Sequence, residues 1–152
     1  MVTAQIESFS ERLQELKPIL PVHYEELALD KDSVPLDPQF DLYLAREARG
    51  EVLFVTLREN GTLIGYFIGF IAPGLHYRTC LTLTMDIFYV HPSHRGKSGG
   101  MHLFKCVKRE ALRRGVNRWF VGHKTHMPDA SRLFLAMGFR EVETYYSMIL
   151  EA

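Results

Sequence analysis

The rhythm of apolar and polar positions changes several times along the chain. Leu13, Leu16 and Leu20 recur near helical spacing within ERLQELKPIL, and Ser10 stands where an N-cap would accept from a first-turn N–H. Pro18 and Pro21 should divide this region, because proline removes a helical donor and crowds the preceding turn. HYEELAL is then a second helical piece, KDSVPLDP a loop, and VTAQIES a short strand at the start. Asp37 can cap a third helix through PQFDLYLAREAR, with Pro38 in its first turn and Gly50 at its end.

The middle of the chain follows a strand pattern. EVLFVTL and TLIGYFIGF flank RENG, and Asn60-Gly61 is a hairpin signal because both residues tolerate positive φ. APGLHYR reads as a connection broken by Pro73-Gly74, and TCLTLTMDIFYV as a central strand rich in β-branched and aromatic residues. After HPSHRGKSGG the period returns to helical. Leu103, Phe104, Val107, Ala111 and Leu112 form one face, Lys105, Lys108, Arg109 and Arg113 the other, and Gly115 a stop. NRWFVGHK predicts a strand, PDASRLFLAM a short helix closed by Gly138, and FREVETYYSMIL a final long strand by its alternation. Helices, an antiparallel meander, then strand-helix-strand passages imply an α/β chain of the α+β type. Its sheet is mixed, mostly antiparallel and covered by helices.

Composition adds bounds. The 152 residues suit one domain over 1–152 with a single core, and 47% apolar with 24% charged residues is ordinary for a globular chain. The N-terminus lacks the basic and apolar regions of a secretory signal, and the apolar runs fall short of a membrane span. Cys80 and Cys106 fit no metal spacing, and free thiols in a reducing, cytoplasmic setting are the simpler expectation. Net charge is zero, yet residues 1–76 carry −6 and residues 77–152 carry +6. The second half suits an anion and the first an acidic rim for a cationic partner. No Lys/Arg block is dense enough to argue for nucleic acid.

The corner HPSHRGKSGG carries the candidate chemistry. A strand ends at Val90, Pro92 prevents its continuation, and a helix begins near Gly99 or Gly100. A helix N-terminus presents unpaired N–H groups and partial positive charge, and Arg95 and Lys97 add to it. Glycines let the backbone approach phosphate oxygens, so pyrophosphate is a natural guest. Neither a Walker A loop nor the dinucleotide fingerprint is present.

The stretch DIFYVHPSHRGKSGGMHLFKCVKREALRRGV resembles the acetyl-coenzyme A motif of the GNAT family of N-acetyltransferases. That pattern is Arg/Gln-x-x-Gly-x-Gly/Ala after a strand ending in Val-x-Pro. Arg95 matches its first position and Gly100 its last, while Ser98 stands where glycine is usual and Gly99 follows it. RLFLAMGF is similar to the family's second signature, and the order of elements from Glu51 to Leu150 agrees. The spacing HYRxxxxxxxDxxYxxP and the length resemble acetyltransferases carried by bacteriophages. The resemblance implies a splayed parallel strand pair in a GNAT fold with helices on both faces. It implies acetyl-CoA as cosubstrate, no metal, and a primary amine on a small molecule or protein as acceptor. The pantetheine arm would pair with backbone of Phe88, Tyr89 and Val90. The pyrophosphate would sit on Arg95, Gly96, Lys97, Ser98, Gly99, Gly100 and Met101. Backbone of the first strand would hold the oxyanion. Such domains often pair through exposed edges or final strands, so a homodimer is an expectation.

Several residues are candidates for moving protons. Asp86 is the only acid in an apolar strand and needs a reason to be there. It shares a face with Thr84 and Phe88 unless a bulge intervenes. His123 and His126 end the strand facing the cofactor, and histidine suits base work near neutrality. They stand three apart without an obvious third ligand. The tyrosine that many family members use to protonate the leaving thiolate is here Phe134, and Tyr145 or Tyr146 on the final strand is the replacement considered, Tyr146 above all. His76, Tyr77 and Tyr43 are placed as walls of the acceptor pocket. The missing tyrosine and the irregular glycine pattern motivate a second reading: a GNAT-fold binding module, catalytically weak or inactive, that holds coenzyme A or a protein partner.

Overall fold

The computed structural model describes residues 1–151. One sheet holds five strands in the order β1-β2-β3-β4-β5: β1 Val2–Ile6, β2 Val52–Glu59, β3 Thr62–Gly74, β4 Tyr77–Val90 and β5 Arg118–Phe120. The first four are antiparallel to their neighbours, and β5 runs parallel to β4. Between β1 and β2 lie α1 (Phe9–Leu16), α2 (Ile19–Leu27) and α3 (Phe40–Ala48). Between β4 and β5 lies α4 (Gly99–Arg113), and α5 (Ala130–Met137) follows β5.

Alternation along the inner strands assigns the helices to opposite faces. Leu53, Val55 and Leu57 of β2 join Phe67, Leu83, Leu103, Phe104 and Val107 in one core, under α4 and α5. Val52 and Phe54 join Phe9, Leu13, Leu16, Tyr66 and Ile68 in the other, under α1 to α3. Because both faces are covered, β2 is buried almost throughout, and its first four residues, VLFV, are an unbroken apolar run.

Local chemistry sets the boundaries. Asn60 and Gly61 take φ of 50° and 84°, as the hairpin requires. The expected break at Pro73-Gly74 does not occur: β3 runs on to Gly74 and pairs with β4 as far as Tyr77. Its pairing with β2 has ended at Phe70, so a missing proline N–H costs no ladder bond there. The first helix begins earlier than Ser10 predicts. Ser8 is its N-cap, and the Glu47 carboxylate of α3 accepts from Phe9 N at 2.6 Å and Ser10 N at 3.0 Å. α3 starts at Phe40 with Gln39 as its cap residue, so Asp37 lies outside it. Gly115 and Gly138 take positive φ where α4 and α5 stop. Cys80 and Cys106 are both free. Among the described residues no helix is long and apolar enough to cross a membrane.

Two expectations for the C-terminal third are corrected. Of NRWFVGHK only Arg118–Phe120 forms a strand. FREVETYYSMIL forms none, and residues 140–151 lie exposed without regular structure. A strand is completed by a ladder partner, and alternation alone does not supply one.

His23 on α2 gives the fold a pH dependence. It is 6% exposed, with Nδ1 3.1 Å from the Tyr66 hydroxyl and its ring 4.8 Å from that of Tyr89. Burial lowers its pKa to about 4, against a smaller opposing pull from Glu26. The unfolded chain protonates near pH ~6.5 and the folded chain does not. The stability carried by neutral His23 is therefore complete above that pH and is lost as pH falls towards 4, by roughly 3 kcal/mol. Denaturant titrations between pH 7 and 4 should show this slope, and His23→Gln should flatten it by about one proton.

Candidate functional site

The site begins where two parallel strands part. β4 and β5 pair only at Thr82 with Arg118, Leu83 with Trp119 and Thr84 with Phe120. β4 then continues to Val90, while the chain after Phe120 leaves as coil. From Ile87 to Val90 the β4 backbone is paired with β3 on one side, and no β5 partner follows on the other. Such an edge accepts an extended guest through main-chain hydrogen bonds.

A bulge marks the mouth of the split. Ile68 pairs with Ile87 but Gly69 pairs with Met85, so Asp86 is the extra residue of β4. Alternation inverts across it: Met85 and Phe88 pack in the α4 core, and Ile87 packs in the α1–α3 core. Asp86 therefore does not share a face with Phe88. It turns towards α3, where the Tyr43 hydroxyl donates to its Oδ2. Tyr43 is held by a stacked contact with Phe9 at 5.1 Å and a tilted one with Phe70 at 5.5 Å. Surrounding protein withholds water from the Asp86 carboxylate and raises its pKa, while the Tyr43 hydrogen bond and Arg46 pull it down. The side chain still reaches solvent, so the rise is moderated by water. Burial, then the bond to Asp86, holds the Tyr43 hydroxyl well above its ordinary pKa. It is a permanent donor at neutral pH. A hollow of about 290 Å³ lined by Asp37, Leu42, Tyr43, Arg46 and Phe70 opens beside it.

At the far end of the free edge the chain turns into α4 through a short 3₁₀ turn at Pro92–His94. Here the irregular glycine pattern finds its reasons. Gly96 is the residue with positive φ, at 75°. Ser98 sits at φ −74°, ψ −5°, an ordinary right-handed conformation in which its Cβ costs nothing. A Cβ on Gly99 would stand 2.9 Å from Leu57 Cδ2, and one on Gly100 3.1 Å from Leu133 Cδ2. These two glycines let the first turn of α4 lie close to the sheet and α5.

Arg95 is fixed on both sides of the corner. Its Nε donates to Val90 O at 2.7 Å, and its Nη2 donates to Glu26 Oε1 of α2 at 2.6 Å. His94 Nε2 lies 2.8 Å from Glu59 Oε2. Acids of the first half thus meet basic groups of the second across this corner, and the sequence reading missed Glu26 and Glu59. The only forward signal was the opposite charge of the two halves. Glu26 occupies the Arg95 guanidinium, so Glu26→Gln should tighten binding of free pyrophosphate at this corner about two- to fivefold at low salt. Titration calorimetry reads this directly, and the gain should shrink as salt screens the charges.

The remaining sequence candidates are scattered. His123 stacks on Phe134 with ring centroids 6.3 Å apart, and its Nδ1 donates to Lys124 O. His126 reaches α2 and donates to Glu26 O at 3.3 Å, which sets it by Arg95 and apart from Asp86's partner Tyr43. Among the described residues no group of three or more His, Cys, Asp or Glu is placed to hold a metal ion. Phe134 is a core residue packed against Phe104 and Phe139. Tyr145 and Tyr146 are 87% and 94% exposed on the C-terminal arm, so Tyr146 is not brought to the cleft of its own chain. His76 and Tyr77 lie at the β3–β4 turn. Tyr77 lies nine positions before Asp86 on β4, roughly 30 Å of strand, and Arg118 covers the Tyr77 ring at 5.1 Å. Of the expected pocket walls, only Tyr43 joins Asp86.

The acetyltransferase (GNAT) family pattern matches residues 13–139, and the chain belongs to this family of N-acetyltransferases. Among solved structures, an aminoglycoside acetyltransferase, HMB0005, from an uncultured soil metagenomic sample superposes with a TM-score of 0.77 at 15% identity over 99% of each chain. The ribosomal-protein-alanine N-acetyltransferase of Brucella melitensis biovar Abortus 2308 gives 0.72 at 18% identity, over 99% of this chain and 100% of that one. AAC(6')-Iy, in complex with the bisubstrate analog CoA-S-monomethyl-acetylneamine, gives 0.66 at 16% identity, over 100% and 99%. At such identities the likeness is one of fold. A comparison with curated protein sequences returns no match.

Proposed function

We propose that this chain transfers an acetyl group from acetyl-CoA to a primary amine by direct attack. The observation that carries the reading is the free edge of β4 running into the N-terminus of α4. It offers main-chain groups for an extended amide-bearing arm and then N–H groups for a pyrophosphate. Phe88, Tyr89 and Val90 supply the first, and Arg95 through Met101 the second. The fit is supported by Gly96, which turns the loop, and by Gly99 and Gly100, which seat the first turn of α4 close to the sheet and α5.

The donor supplies a thioester carbonyl, and the protein's task is placement and proton transfer. The amine enters beside the Asp86 bulge. Asp86, with a raised pKa, first takes one proton from the ammonium, directly or through one water. The freed lone pair then forms the N–C bond, the C–S bond breaks, and the nitrogen's second proton is lost as the thiolate departs. Tyr43 orients that carboxylate by donating to Oδ2. With Phe134 in the core, the proton for the thiolate comes from solvent. The acceptor is a cationic amine on a small molecule or a protein, drawn by the acidic first half of the chain. The aminoglycoside and ribosomal-protein substrates named for the structural neighbours mark those two kinds.

The test has two stages. Calorimetry should show coenzyme A binding, and its absence overturns the reading. Thiol release from acetyl-CoA is then measured across a panel of primary amines. The absence of a hydroxyl at Phe134 favours the binding module as the second reading. Coenzyme A binding with no thiol release from any amine is its signature.

A further inference from the structure

Arg46 is a cation without a counter-ion in the acidic half of the chain. Residues 1–76 hold four arginines and twelve acids. Arg12 pairs with Glu7, Arg49 with Glu51, and Arg58 with Glu7 and Glu15, so among the described residues Arg46 alone of the four lacks a carboxylate partner. Its guanidinium instead lies over the Phe70 ring, 4.4 Å from the centroid. An aromatic face holds a guanidinium in place and leaves its in-plane N–H donors free for a carboxylate.

The free donors border the candidate acceptor site. α3 sets Arg46 one turn after Tyr43, so the two side chains share a face. Both line the hollow of about 290 Å³, with Pro38, Leu42 and Phe70 as its apolar wall. The Tyr43 hydroxyl ties that wall to Asp86, and the Arg46 charge reaches the Asp86 carboxylate, pulling its pKa down. Phe70, beneath the guanidinium, pairs with Thr84 of β4, and Asp86 lies two positions further on, roughly 7 Å of strand. A carboxylate and an unpaired guanidinium thus flank an apolar wall at a separation of a few bonds' length.

These features select among amines. A molecule with an ammonium and a carboxylate a few bonds apart answers both charges. An acceptor carrying several cations meets a like charge at Arg46. The volume agrees, because about 290 Å³ lies at the small end of ligand pockets and suits a single compact acceptor. Asp37 is the other charge of the lining, exposed on the loop before α3, and is where a second cation would be held.

We infer that the acceptor is a small amino acid: Arg46 binds its carboxylate, its amine meets Asp86, and its apolar side chain lies against Pro38 and Leu42. This rests on the acetyl-transfer reading and narrows its acceptor. Acetylation removes the charge of the amine and keeps the carboxylate, so the product retains one of the two anchors.

Thiol release from acetyl-CoA is measured with L-leucine and with 3-methylbutylamine, the same skeleton without the carboxylate, at a pH where Asp86 is ionised. Arg46→Gln should lower the leucine-to-amine ratio of kcat/KM by about 10-fold or more, chiefly by raising KM for leucine, the usual worth of charge-assisted hydrogen bonds. Comparing the ratio between variants cancels the different basicity of the two amines. Arg46→Lys should keep part of the preference. Arg49→Gln removes a charge from the same end of α3 and should leave the ratio unchanged, which a mere helix-end role for Arg46 does not predict. Arg46 is exposed, so its variants should stay folded. A ratio unmoved by Arg46→Gln, or moved equally by Arg49→Gln, overturns the inference and leaves acetyl transfer standing. So does a preference for 1,5-diaminopentane that is lost in Asp37→Asn. If no amine releases thiol, calorimetry with leucine in the presence of coenzyme A decides. Leucine binding that Arg46→Gln abolishes upholds the carboxylate site while the transfer reading fails, and no leucine binding overturns both.

Discussion

Gly100→Glu is expected to lower coenzyme A affinity by roughly 100-fold or more, about 3 kcal/mol, through like-charge contact with the pyrophosphate. The same change should leave the fold intact. Gly100 lies in the first turn of α4, where a carboxylate is favoured by the N–H groups and glutamate is a better helix former than glycine. Its Cβ would press on Leu133 Cδ2 at 3.1 Å and lie 3.9 Å from Phe88, a crowding that a leucine rotamer relieves. Gly100→Ala brings the Cβ alone and should cost only a small part of the affinity. Calorimetry with thermal denaturation separates the effects: lost binding with an unchanged melting point locates the phosphates at this corner. Unchanged affinity in Gly100→Glu overturns the assignment of the loop.

What the sequence revealed, and what it hid, follows the range of each signal. The hairpin at Asn60-Gly61, the start of α4 and the stops at Gly115 and Gly138 are local, because a few residues with special φ or unpaired N–H groups determine them. Ser98 was an anomaly only while the loop was read as a string of motif positions. The backbone places the positive φ two residues earlier, at Gly96. Non-local facts were hidden. Whether Asp86 faces α3 or α4 depends on a one-residue slip against Ile68 and Gly69, and no periodicity within β4 announces which residue bulges. The capping of α1 by Glu47, 38 residues from Phe9, and the clasp of Arg95 by Glu26 are likewise set by packing. His76 and Tyr77 were expected on a connection that breaks the strand at Pro73-Gly74; β3 instead runs on to Gly74, and they stand at the tip of a longer hairpin. The arm shows the same limit: its alternation predicts a strand, yet residues 140–151 form none, because alternation supplies no ladder partner.

Asp86→Asn should reduce kcat by about 100-fold or more, the usual contribution of a general base, and remove the acidic limb of the pH–rate profile. The sign follows from the carboxylate's surroundings. Withheld water raises its pKa, and a base works only when ionised, so the wild-type rate should fall as pH drops through that raised value. Tyr43→Phe tests the same pair from the other side. It removes the hydrogen bond that favours the charged carboxylate and leaves the desolvation, so the acidic limb should move to higher pH while much of kcat at alkaline pH survives. Stability moves the opposite way from activity. A carboxyl whose pKa is raised by folding adds stability only below its unfolded pKa, and that stability is lost as pH rises through the folded value. At pH 7 the charged Asp86 is therefore a burden on the fold, and Asp86→Asn should melt no lower than wild type. A variant that is equally or more stable and nearly inert is what a strained functional carboxylate predicts. A lower melting point with an unmoved pH profile would return Asp86 to a structural partner of Tyr43.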